Sequence, residues 1–251
     1  MTVARLDRSI AFEGAKNVRD LGGVRTATGA TVRHGVVFRG DGLSRLTDAD
    51  LDRLGRLGLR TIIDLRYDEE RERAPDRLPP GSSTRLRHCG FLPQGSLDLF
   101  TAVNEHSADA DAAFAIMRDN YSRIPFEHAR ELAAVLHHLL EPDSSAHYIH
   151  CTSGKDRTGI AVALILRAIG VEVEAVVADY ELSNCEHQAV DIFGPAARAD
   201  AIAMVMSAHP AYLRAALEAI DRECGHIDAY LARDLDFGAA EREALARLLL
   251  D

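Results

Sequence analysis

At 251 residues the chain is long enough to bury a substantial core as one domain spanning 1–251, and a hydrophobic fraction of 47% with 27% charged residues places it among ordinary globular proteins. A formal charge of −10 argues against general nucleic-acid binding and against stable adhesion to anionic membranes, so any anionic substrate needs a local positive site. No run approaches the roughly 18 apolar residues of a membrane span, and the opening MTVARLDRSIAFEG lacks the apolar stretch of a secretory signal; a cytoplasmic protein is expected. Cys89, Cys151, Cys185 and Cys224 are scattered, without a Cys-x-x-Cys pair or metal-ligand spacing, so neither a disulfide framework nor a bound metal is expected. Of the 29 basic residues only Lys16 and Lys155 are lysines, which makes the position of each worth explaining.

Along the chain, NVRDLGG (17–23) reads as turn-rich and VVFRG (36–40) as a short strand. Thr47 is placed to cap a helix, with Asp50 at the capping-box position, Leu46 and Leu51 as a staple, and Leu51, Leu54 and Leu57 on its buried face. RTIIDLR (60–66) is a β-branched run that reads as an interior strand. YDEERERAPDRLPP reads as a solvated connection, and its arginines Arg71, Arg73 and Arg77 as a solvated face. A strand is expected near 84–89, a loop or insertion over 91–112, and one helix over 126–141. HYIHC (147–151) reads as a strand, and 157–168, apolar nearly all round, as a buried helix ending before Gly170. Helices follow at about 172–186, 194–207, 210–223, 226–234 and 239–250. The pattern predicts an α/β fold, a central sheet flanked by helices, with a helix-rich C-terminal half.

Between the strand ending at Cys151 and the helix opening at Arg157 lie Thr152, Ser153, Gly154, Lys155 and Asp156, small or polar residues that let the backbone curl. Successive amides in such a turn point inward as an anion nest, and the helix N-terminus adds partial positive charge. The same field favours a thiolate, and a guanidinium at the helix start can grip two phosphoryl oxygens at once. A cysteine six positions before an arginine is weak in so arginine-rich a chain; its strand–loop–helix context makes it a phosphate site.

The string His150-Cys151-x-x-Gly154-x-x-Arg157-Thr158 resembles the signature of cysteine-dependent protein tyrosine phosphatases. The fuller HCTSGKDRTG, with NVRDLGG upstream and ADYELSN (178–184) downstream, is similar to their bacterial branch. The resemblance implies that Cys151 is a nucleophile forming a phosphocysteine, that Arg157 binds the phosphoryl oxygens, and that Thr152 to Arg157 line the phosphate site with Lys155 as a second positive charge. It implies phosphorylated protein or phosphoinositide as substrate, inorganic phosphate as product, and neither cofactor nor metal.

Animal members carry their general acid on a Trp-Pro-Asp loop, and this chain has no tryptophan. Asp156, already in the loop, is the first candidate for that acid, Asp64 at the end of a strand the second, and Asp98 the third. His150 reads as a buried residue tuning the loop, Arg19, Asp20 and Arg39 as braces of the sheet edge, and Ser183 or Asn184 as residues that could orient a water. Two other classes compete: a non-catalytic phosphate-binding module on the same fold, disfavoured because Cys151 and Arg157 are both present, and a sulfur transferase, which the phosphate clamp fits poorly.

Overall fold

The computed structural model describes residues 8–105, 107–185 and 193–251. Five short strands form one sheet: β1 (Arg19–Asp20), β2 (Val37–Gly40), β3 (Thr61–Asp64), β4 (Arg85–His88) and β5 (His147–His150). Their order is β1-β2-β5-β3-β4, with β1 antiparallel to β2 and the other pairings parallel. Gly40 and Asp64 both pair with His150, and Asp64 pairs with His88, so β2, β5, β3 and β4 end in one row. The loops that follow them therefore emerge side by side at the carboxyl edge, where open α/β sheets bind ligands.

Side-chain alternation splits the core in two. Val37, Ile63 and Ile149 face one buried cluster with most of the helices, while Phe38, Ile62 and Tyr148 face a second with Leu51 and Leu54 of α1 (Asp48–Arg56). Thr47 caps α1 by the expected reciprocal bonds with Asp50. The helix after β5, α6 (Asp156–Ala168), is buried nearly all round and ends at Gly170, with φ of +84°. A Cβ on Gly159 would come within 2.8 Å of the Tyr180 ring, so that glycine lets α7 (Val173–Glu181) pack closely across α6.

Four expectations need correction. Residues 91–112 are not a loop: α3 (Ser96–Asn104) and the start of α4 (Ala110–Glu127) lie there, with Leu99 and Val103, one turn apart, buried in the core. The helix expected over 126–141 is two, because His128 leaves helical geometry (φ −122°, ψ 29°) and stacks on Phe91 at 4.3 Å, separating α4 from α5 (Ala129–Leu139). The connection after β3 contains a short helix, α2 (Asp68–Arg73). Downstream, α7 ends in a 3₁₀ turn at Leu182–Cys185, and residue 186 of the helix expected over 172–186 lies outside the described residues. The segment expected to be helical from 194 begins its helix, α8, at Ala199 (Ala199–Met206); α9 (Pro210–Cys224), α10 (Ile227–Asp234) and α11 (Ala239–Leu249) complete the helical half. No helix among the described residues is long and apolar enough to cross a membrane.

Candidate active site

Cys151 follows β5 directly and is buried. The chain then curls through Thr152 to Lys155 and enters α6 at Asp156. Gly154 makes the curl possible: its φ is +65°, and a Cβ there would sit 2.2 Å from the carbonyl oxygen of Gly40. Among the described residues none accepts a hydrogen bond from the amides of Ser153, Gly154, Lys155, Asp156 or Arg157. Five successive donors beside a buried thiol and at the first turn of a helix make an anion nest.

Arg157 closes the nest. Its guanidinium donates from Nη1 to Glu70 Oε2 (2.6 Å) and from Nη2 to Glu70 Oε1 (2.8 Å), a fork-to-fork pair, while Nη1 also reaches the carbonyls of Leu65 and Phe91 at 3.1 Å. Burial works against its charge, but the Glu70 hydrogen bonds and the charges of Cys151, Glu70 and Asp156 outweigh burial and hold the guanidinium charged more firmly than usual. Glu70 responds in kind: burial pushes its carboxyl up, and Arg157 with Thr152 holds it below the usual range. The Thr152 hydroxyl donates to Glu70 and accepts from Arg157. Loop, arginine and α2 are thus one unit.

Each of the two charged neighbours in the loop also has a partner outside it. Lys155, 3% exposed, donates from Nζ to the carbonyls of Val205 (2.6 Å) and Ser207 (3.2 Å), at the C-terminal end of α8 where a cation is favoured, and lies 3.4 Å from Asp156 Oδ1. Asp156 is half-buried; its Oδ1 accepts from the Tyr121 hydroxyl at 2.5 Å, which lies 2.7 Å from that of Tyr180. The other expected acids are placed differently. Asp64 is fully buried and both its oxygens accept from Arg66. Asp98 is exposed in the first turn of α3. Ser183 Oγ accepts from Asn17, and Asn184 is tied to the backbone of Ala208, so both are engaged in structure.

Beneath the loop sits a charge-balanced quartet. Arg66 Nη2 lies 2.7 Å from Asp64 and 3.0 Å from Asp76, and His150 Nε2 lies 3.1 Å from Asp76 Oδ2. Oxygen and nitrogen atoms of Asp64, Asp76 and His150 lie within 4.8 Å of one another, a metal-like grouping in which the Arg66 guanidinium is the cation that meets both carboxylates. Burial would lower the His150 pKa; the charges of Asp76 and Asp64 win and raise it from 6.5 to about 9. Burial likewise opposes the Asp76 charge, but His150 and Arg66 hold its carboxyl down at about 2. A group raised in the fold stabilises fully below its unfolded value and loses that contribution as pH climbs through its folded one. We therefore expect His150→Gln to be less stable than wild type at pH 6, on the order of 3 kcal/mol, and the gap to close by pH 9.5. Urea midpoints of both proteins at the two pH values check this; buried Asp41, whose carboxyl burial pushes up to about 7 against the opposing pull of the His150 charge, adds a decline of its own in each protein.

Glu70 and Asp76 are the site residues that sequence reasoning missed. Both lie in the run of alternating charge that reads as solvated, and only the position of Glu70 three residues after Tyr67, whose amide it caps, distinguished it.

A sequence model described as the tyrosine phosphatase family matches residues 10–251. The chain belongs to the tyrosine phosphatase family. Members of this family are hydrolases of phosphoric monoesters, and that is the class of enzyme to which the chain belongs. A protein of Cupriavidus necator named as a tyrosine-protein phosphatase is 29% identical over 92% of this chain and 86% of its own. The triple specificity protein phosphatase PtpB of Mycobacterium tuberculosis is 35% identical over 68% of this chain and 67% of its own. Among solved structures, the core catalytic domain of the PP-IP phosphatase SIW14 from S. cerevisiae aligns with a TM-score of 0.40 at 16% identity, covering 78% of this chain and 88% of that one.

Proposed function

We propose that the chain hydrolyses phosphate monoesters through a phosphocysteine on Cys151, with phosphotyrosine as the first substrate class. The observation that carries the reading is the run of five amides, unpartnered among the described residues, beside a buried thiol and closed by a firmly charged arginine. In the first step the Cys151 sulfur attacks phosphorus, the bond to the ester oxygen breaks, and the leaving oxygen takes a proton. In the second, water attacks phosphorus and gives a proton back to the carboxylate that supplied one in the first step, the S–P bond breaks with its electron pair returning to sulfur, and phosphate departs. The loop amides and Arg157 hold the three equatorial oxygens through both steps. Asp156 is the residue we assign as proton donor, since it lies at the loop's end and is half-exposed, whereas Asp64 is committed to Arg66. Tyr121 fixes the carboxyl by one oxygen only.

The Mycobacterium relative is named a triple specificity protein phosphatase, which supports a site that takes more than phosphotyrosine, and phosphoserine and phosphothreonine are the further protein substrates we propose. Phosphoinositides stand lower, because Lys155, the cation that would meet a second phosphate, is spent on the end of α8. The catalysis proposed uses side chains and backbone alone. Turnover of p-nitrophenyl phosphate is accordingly expected to persist in EDTA; activity that vanishes with chelator and returns with a divalent metal would sink the reading. A phosphate-binding module without catalysis would bind phosphate and release no p-nitrophenolate in the same assay.

A further inference from the structure

The back of the phosphate loop is tied down by a buried polar network that the chemical steps leave unused. The Gly154 carbonyl accepts from Arg39 Nη2 at 2.9 Å and from Asn17 Nδ2 at 3.0 Å, and Asn17 Nδ2 also lies 3.3 Å from the Ser153 carbonyl. Arg39 is held in turn by Asp179, which its Nη1 meets at 2.8 Å. Arg19 spans the two ends of the network, donating from Nη2 to the Asp179 carbonyl (2.8 Å) and from Nη1 to the Asn17 carbonyl (3.2 Å). Asn17, Arg19, Arg39 and Asp179 are all buried. Burial pushes the Asp179 carboxyl up, but Arg19, Arg39 and Arg8 hold it well below the usual range, so its charge stays in place to orient the guanidinium of Arg39.

Peptide planarity turns this bracing into aim. In a trans peptide the carbonyl and the following N–H point in opposite directions. Drawing the carbonyls of Ser153 and Gly154 back toward Asn17 and Arg39 therefore turns the amides of Gly154 and Lys155 the other way, into the nest. Were either carbonyl to swing inward, it would present the wrong end of its dipole to a phosphoryl dianion. Asn17 itself stands at φ +59°, a left-handed conformation that asparagine tolerates better than most residues and that the surrounding bonds hold.

We propose that Asn17 and Arg39, oriented by Asp179, are positioning residues that aim the Gly154 and Lys155 amides at the phosphoryl group. The proposal rests on reading Thr152 to Arg157 as the phosphate loop, and binding rather than turnover tests it. In ¹⁵N–¹H spectra of the full chain, inorganic phosphate should move the Gly154 and Lys155 amides of the wild type. No phosphate binding by the wild type would overturn the underlying reading and this one with it. Asn17→Gly keeps the left-handed backbone and removes the donor; we expect its phosphate Kd to rise about tenfold and the two amides to lose their response, with core resonances unmoved. Arg39→Lys, which keeps the charge but cannot span Asp179 and the Gly154 carbonyl together, should weaken binding likewise. If Asn17→Gly does not fold, Asn17→Asp replaces the donor by an acceptor of the same shape and should give the same result. Wild-type affinity and wild-type amide response in either folded Asn17 variant overturns the proposal.

Discussion

Replacing Cys151 by serine should reduce turnover by ~10⁴-fold or more while leaving phosphate binding within a few-fold of wild type. The oxygen is smaller than sulfur and sits in the same cage, so the five loop amides and Arg157 still meet an anion. What disappears is the nucleophile, because a hydroxyl is not ionised at neutral pH whereas a thiolate beside an anion nest is available. His150, the neighbouring base in sequence, is engaged with Asp76 and raised to about 9, so it is itself protonated at neutral pH. Steady-state rates on p-nitrophenyl phosphate and calorimetric titration with phosphate give the two numbers. Comparable loss of both would mean that Cys151 supports the loop rather than attacking the substrate.

Asp156→Asn should cost 10²–10³-fold in kcat/KM on alkyl phosphates and far less on p-nitrophenyl phosphate, within the ~10²–10⁴-fold range of acid catalysis. The reasoning is chemical: an alkoxide needs a proton as it leaves, whereas p-nitrophenolate is stable without one. The structure adds a reason to expect the fold to survive, since an asparagine oxygen can still accept from Tyr121. A slope of rate against leaving-group pKa, measured for wild type and variant over a series of phenyl and alkyl phosphates, separates the two cases. Equal losses along the whole series would make Asp156 a partner of Tyr121 and Lys155 only, and the search for the acid would turn to other groups at the carboxyl edge, Asp41 first, whose raised carboxyl sits one strand away.

The strand, loop and helix that build the nest were legible because three local patterns change at their borders. An apolar run stops at Cys151, small polar residues follow, and a helix apolar on every side begins. α3 and the first turns of α4 were not, since Leu97 faces solvent at 65% exposure and only Leu99 and Val103 mark the buried face within an acidic stretch. The same limit applies to side-chain direction. Position alone places Lys155 in the loop, but its ammonium is drawn off by carbonyls about fifty positions later, at the end of α8. Asp76 and Glu70 were illegible for a related reason: in a run of alternating charge nothing local separates a carboxylate in water from one buried against His150 or Arg157. Arg39 was expected to brace the sheet edge; it is buried on β2 and braces the loop instead.

The covalent step is the claim on which the rest depends, and rapid acid quench tests it most directly. Enzyme mixed with excess phosphotyrosine peptide, quenched within a turnover and mapped by mass spectrometry, should carry a phosphoryl group on the Cys151 thiol, and prior alkylation of Cys151 should abolish both the label and the activity. A phosphoryl group on another side chain, or undiminished turnover once Cys151 is alkylated, would contradict the mechanism.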